Sequence, residues 1–128
     1  MLGSRTRYIA FVVLIGVFAP LAAQASLELA DLYSTNGREI YAQVSNEGTW
    51  QRAGTLYFEV EIIHPRSGKV VEQYENHRGY AARARGGWSS AFLANYTPNY
   101  SGYKARVHLW YKDNQDEGDL GTHMITLY

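Results

Sequence analysis

The chain of 128 residues contains no cysteine. That absence excludes disulfides, thiolate metal sites, cysteine nucleophiles and lipid attachment through a cysteine behind a leader. It also lacks an excess of charge of either sign. Twelve Lys and Arg stand against twelve Asp and Glu, so bulk charge does not recruit a polyelectrolyte, and nucleic acid is not an expected partner. Beyond residue 23 no apolar run approaches the ~20 residues a membrane-spanning helix needs. Apolar residues are not scarce: at 46% they exclude a disordered chain. The length accommodates one domain.

The amino-terminal residues form an address. Arg5 and Arg7 precede an apolar run over residues 8–23, interrupted by Gly16 and Pro20, and Ala23-Gln24-Ala25 follows. These are the charged, apolar and small-residue parts of a cleavable secretory signal, with cleavage before Ser26. The run is shorter than a bilayer-spanning helix, and a cleavage site follows it at once. The expected organisation is therefore a signal peptide over residues 1–25 and one exported domain over residues 26–128. That domain is periplasmic or extracellular, without a membrane span after cleavage. Losing Arg5 and Arg7 leaves it slightly acidic, and without disulfides it is held by packing and backbone pairing alone.

From Ser26 onward the apolar residues recur with a period of two. Leu27, Leu29 and Leu32 predict a short first strand, ended by Ser34-Thr35-Asn36-Gly37. Ile40, Ala42 and Val44 predict a second, and Leu56, Phe58, Val60 and Ile62 a third. Pro65 and Gly68 supply a tight turn into Val70-Val71. Residues 74–87 are less regular, and Trp88, Ser90 and Phe92 suggest a further strand with Trp88 filling the centre. Tyr103, Ala105, Val107, Leu109 and Tyr111 alternate with polar residues, and residues 124–128 form the last strand. About seven short strands with turns between them predict an all-β fold, a single immunoglobulin-like antiparallel β-sandwich.

Several segments carry a likeness. Val44-Ser45-Asn46 leads to the strand over residues 56–62. Pro65-Arg66-Ser67-Gly68-Lys69-Val70-Val71 follows, then Trp88-Ser89-Ser90-Ala91-Phe92 and Gly102-Tyr103. In this order the chain resembles the immunoglobulin-like modules of bacterial envelope proteins of the FxLYD and CARDB type. It departs from them at Ile63-His64-Pro65, where a hydrophobic-Tyr-Asp opening is usual. The resemblance implies a spacer, adhesive or assembly domain without catalytic residues.

Candidate chemistry is sparse. His64, His77, His108 and His123 have no metal-ligand spacing. Asp113, Asp116, Glu117 and Asp119 crowd around Gly118 and form a calcium candidate, although Met124 stands where a bidentate Glu belongs. No G-x-S-x-G elbow surrounds Ser89, Ser90 or Ser101. Glu59 and Glu61 share the outward face of a regular strand, as solvated carboxylates do. No cofactor is called for.

Aromatic residues are the informative excess, since ten of the eleven tyrosines and all three tryptophans follow the leader. Tyr41, Tyr57 and Trp110 fall on outward strand positions. Tyr80 lies close to Arg83 and Arg85 in the irregular basic segment. Tyr, Trp and Arg are the side chains that anchor protein interfaces. The expectation is an exported, non-enzymatic module acting by contact with another envelope or extracellular protein, self-assembly included. The alternative is a carbohydrate-binding module in which Tyr41, Tyr57 and Trp110 stack on sugar rings of a glycan.

Overall fold

The computed structural model describes residues 27–128, so the expected signal peptide and cleavage site lie outside the described residues. Seven strands follow in order: β1 (Leu27–Thr35), β2 (Glu39–Asn46), β3 (Arg52–Ile63), β4 (Val70–Ala82), β5 (Gly87–Asn95), β6 (Lys104–Asp113) and β7 (Glu117–Thr126). They build two antiparallel sheets, β1-β2-β5 and β4-β3-β6-β7, packed face to face. β4 stays beside its hairpin partner β3. In the constant-type immunoglobulin division the fourth strand lies beside the fifth instead. The expected all-β sandwich is the observed fold.

Alternation writes the core directly. Ile40, Ala42 and Val44 of β2 face Leu56, Phe58, Val60 and Ile62 of β3 and Ala105, Val107 and Leu109 of β6, all buried. Each fully buried Val, Leu, Ile or Phe contributes roughly 1.5–3 kcal/mol by leaving water. Leu27, Leu29 and Leu32 break the two-residue step because a bulge between Leu29 and Asp31 inserts one residue. The bulge returns Leu32 to the face its neighbours share, where it packs on the core.

Four expectations change. The last strand, expected over residues 124–128, is β7 over Glu117–Thr126, because the turn after β6 takes only residues 114–116. β1 runs through Thr35, so the turn is the three-residue Asn36-Gly37-Arg38 loop, with Asn36 and Gly37 at positive φ and the Arg38 N–H donating to the Thr35 carbonyl at 3.2 Å. Of residues 74–87, expected to be less regular, 74–82 continue from Val70-Val71 as β4, the longest strand. Its inward positions carry Glu72, Tyr74, Asn76, Arg78 and Tyr80, so its period of two is written in polar and amphipathic side chains. β5 has the opposite face inward. Ala91 and Leu93 are buried, while Trp88 and Ser90 are exposed and Phe92 meets Tyr41 edge-on at 5.3 Å. Close packing accounts for the inversion: opposite the large inward residues of β4, the inward row of β5 is Gly87, Ser89, Ala91 and Leu93, without an aromatic ring.

The strand count sets two ends. Loops 47–51, 83–86 and 114–116 gather at one end, where the described chain also begins, with Leu27 opposite Asn46. Loops 36–38, 64–69 and 96–103 gather at the other, where Leu127 donates to the Tyr103 carbonyl at 2.8 Å.

Candidate functional site

The end formed by loops 47–51, 83–86 and 114–116 is tied together from beneath. Asn46 is fully buried at the end of β2. Its Nδ2 donates to the Trp50 carbonyl at 2.7 Å and the Ala82 carbonyl at 3.1 Å, and its Oδ1 accepts from Gly48 N–H at 3.0 Å. The Arg85 N–H reaches the Gly48 carbonyl at 2.9 Å, and Gly86 N–H the Asn46 carbonyl at 2.8 Å. Asn114 spans to the first loop, donating to the Gln51 carbonyl at 3.2 Å.

Arg52, the first residue of β3, is the keystone. Its side chain is wholly buried and grips Asp113 with both arms of the guanidinium, Nε to Oδ2 at 2.8 Å and Nη2 to Oδ1 at 3.0 Å. Nη2 also donates to Asp116, and the Tyr111 ring lies 5.4 Å from Cζ. Asp113 accepts further from the Tyr80 hydroxyl at 2.5 Å and from Gln115 and Asp116 N–H at 2.9 and 3.1 Å. Burial works against both charges, but the pairing wins. Arg52 is held above its ordinary value by Asp113 and Asp116, and Asp113 below its own by Arg52 and Tyr80. Burial and the bond to Asp113 push the Tyr80 phenol up, so it stays a donor.

On this braced base the tip presents two indoles and two cations. Trp50 is 73% exposed and Trp88 62%. Arg83 and Arg85 are both exposed in the 83–86 turn. Backbone bonds thus bring the turn of Arg83 and Arg85 beside the loop of Trp50, and Trp88 lies next to that turn at the start of β5, opposite Ser45. The structure removes Tyr80 from the candidate surface, because that side chain is buried beneath the tip as a structural donor.

The calcium candidate does not assemble. Asp113 and Asp116 spend their oxygens on Arg52, and Asp119 projects from the outer sheet face, 3.0 Å from His108 Nε2. Glu117 is exposed at the start of β7. Among the described residues no group of three or more His, Asp or Glu is arranged to hold a metal ion.

The proposed sugar platform is divided. Tyr41 lies on the outer face of the three-stranded sheet, in a row with Tyr33 at 5.4 Å and Phe92. Tyr57 and Trp110 lie on the outer face of the other sheet, directly opposite one another and stacked at 5.9 Å. His77 packs on Tyr57 at 5.8 Å and His108 on Trp110 at 4.9 Å. Both rows are cross-strand ladders whose rings cover one another, each pair adding roughly 0.2–1 kcal/mol to its sheet.

Beside the second ladder lies a recess of about 220 Å³, lined in part by Glu59, Glu61, Glu75, Arg106 and His108. Arg106 donates to Glu61 at 2.7 Å and Gln73 to the same carboxylate at 3.1 Å. Glu59 and Glu75 stand directly opposite each other on β3 and β4.

The sequence presents Asn46 only as part of a likeness and does not single out its bracing role or that of Arg52, and it suggests Trp88 inside. One signal was available: Arg52 opens an alternating strand at a position the alternation makes inward.

No protein-family model matches the chain, and no curated protein matches it. Among solved structures it is similar to a Bifidobacterium adolescentis GH3 beta-glucosidase, with a TM-score of 0.45 and 13% identity. The match covers 80% of this chain and 17% of that one. The β-glucosidase activity is that of the longer protein.

Proposed function

We propose that this chain is an exported, non-enzymatic interaction module that engages a protein partner at the cell envelope through its loop tip. The observation that carries this reading is the pairing of two exposed tryptophans and two exposed arginines with a base braced by a wholly buried ion pair. Trp and Arg dominate binding energy at protein interfaces. Loops on a rigid sandwich are where such contacts are commonly built. Export rests on the leader, and the envelope setting on the likeness to envelope modules. The non-catalytic part is supported by the carboxylates of the sheet face, which pair with Arg106, Gln73 and His108 along regular strands. The glycan alternative keeps only Tyr57 and Trp110, whose rings stack on each other.

Site-specific photo-cross-linking in the producing cells tests the reading. A cross-linker at Trp50 or Trp88 should form protein adducts, whereas one at the exposed Lys69, at the opposite end, should not. Equal labelling at all three positions, or none at any, overturns it. Trp50→Ala and Trp88→Ala should change stability by no more than about 0.5 kcal/mol, because neither indole is in the core.

A further inference from the structure

We propose that the partner of the tip is a second copy of this chain, received on the outer face of its four-stranded sheet over the recess beside Glu59, Glu61 and Glu75. This rests on the interaction-module reading and adds the identity of the surface that takes the tip.

The exposed cations of the tip are opposite in sign to the carboxylates of the sheet face. At the tip, Arg83 and Arg85 are exposed and have no side-chain partner among the described residues, while the acids nearby are engaged, Asp116 by Arg52 and Glu47 by Ser45. The three tip loops carry no net charge, Arg83 and Arg85 being matched in number by Glu47 and Asp116, but the tip presents its two guanidinium groups exposed beside two indoles. On the sheet face the order is reversed. One cross-strand row reads Glu75, Glu59, His108, Thr122, and the next reads Gln73, Glu61, Arg106, Met124. Arg106 answers Glu61, and His108 lies 3.4 Å from Glu59 and 3.0 Å from Asp119. Glu75 is exposed and has no side-chain partner among the described residues. Carboxylates directly opposite on neighbouring strands repel one another, so the Glu59–Glu75 pair carries a cost that an incoming cation relieves.

The apolar surfaces complement each other as well. Met124, 50% exposed, closes the second row and offers its thioether to an indole, a favourable contact at a ring edge. The recess holds several waters' worth of volume, room for an arginine head group between the two glutamates. Tip and recess cannot meet within one molecule, because the recess lies over the half of β3 remote from Arg52. Contact between two different patches is heterologous, so each copy receives one neighbour and enters another. The product is a ring or an open filament.

Charge reversal with cross-complementation tests this. The purified chain, in the form the producing cells deliver, is followed by sedimentation velocity over a range of concentrations and salt. Its mass should rise with concentration and fall as salt screens the contact. The double variant Arg83→Glu/Arg85→Glu should stay at monomer mass, as should Glu59→Arg/Glu75→Arg, which keeps the like-charge opposition with its sign reversed. An equimolar mixture of the two should regain concentration-dependent mass, since each tip then meets a complementary face. Melting temperatures equal to that of the parent chain establish that both variants fold. A parent chain at monomer mass throughout, variants that associate like the parent, or a mixture that stays monomeric each overturns the proposal. If the parent is monomeric while Trp50 and Trp88 still cross-link to other proteins, only the second-copy assignment falls. If those positions yield no adduct, the interaction reading falls with it.

Discussion

The two ends of the sandwich solve the same problem with opposite materials. At the tip, loops 47–51, 83–86 and 114–116 are joined by buried polar groups, Asn46 and the Arg52–Asp113 pair, and the aromatic residues Trp50 and Trp88 face outward. At the far end, loops 36–38, 64–69 and 96–103 are joined by rings turned inward. Tyr96 meets Tyr100 at 5.5 Å, Tyr100 meets Tyr103 at 5.0 Å, and Tyr103 meets His64 at 5.3 Å. Backbone bonds complete that plug, Tyr96 N–H to the Arg38 carbonyl and Tyr100 N–H to the Gly37 carbonyl. A buried ion pair adds little net stability over apolar packing, yet it fixes geometry and is costly to break from one side. An aromatic plug does the reverse. The end that holds the ion pair is also the end where the large apolar side chains Trp50 and Trp88 face solvent.

The largest expected effect breaks the tip's side of this comparison. Arg52→Met leaves Asp113 buried and short of its partner, and a denaturant titration should show a loss of about 3–5 kcal/mol. Arg52→Met/Asp113→Leu should recover most of it. Equal losses in the single and double variants would show that something else holds the tip.

The same pair sets a pH limit. The Asp113 carboxyl is held below its ordinary value when folded, so its contribution is complete above the unfolded value near ~3.9. It is lost as pH falls from there through the folded value. The melting temperature should therefore drop below about pH 4, and this acid limb should weaken in Arg52→Met. An unchanged limb in that variant would assign the acid sensitivity to other carboxylates.

At the far end, Gly37 has φ +70°, and an added Cβ would lie 2.3 Å from Asn99 Oδ1 and 2.7 Å from Ser101 N. Gly37→Ala should cost about 1–3 kcal/mol from backbone strain alone, plus the clash. Gly68→Ala, with φ +72° and open space around the added Cβ, isolates the backbone part. Equal losses in the two would mean that loop 96–103 does not press on the β1–β2 turn.

The smallest effect has the opposite sign. The Tyr96 hydroxyl is buried without a hydrogen-bond partner among the described residues. Tyr96→Phe should leave stability unchanged or raise it by about 1 kcal/mol. A loss larger than that would reveal a bonded hydroxyl.

What was legible in the sequence follows the chemistry of each strand's inner face. β2, β3 and β6 alternate plainly because they face one another across an apolar core, so their positions and inward residues are readable from Ile40, Phe58 or Val107 alone. β4 is hidden because its inner face is Glu72, Tyr74, Asn76, Arg78 and Tyr80, an alternation that no hydropathy pattern registers. In β5 bulk misleads: Trp88 and Phe92 look like core, but only the shape of β4 across the seam decides that Ala91 and Leu93 go inside. The tip was least legible. Its keystone joins residues 61 positions apart, and its base depends on three loops meeting at one end. Arg83 and Arg85 were found by composition, while Tyr41 was grouped with Tyr57 and Trp110 because linear order does not show which sheet a strand joins.

Seven strands are an odd number, so a chain that starts at one pole of the sandwich finishes at the other. A tether or reporter fused after Tyr128 therefore hangs from the pole remote from Trp50 and Trp88 and holds them pointing away from its anchor. An extension ahead of Leu27 emerges among the tip loops themselves and turns them back toward whatever holds it. The side on which the protein is leashed thus decides which way it looks.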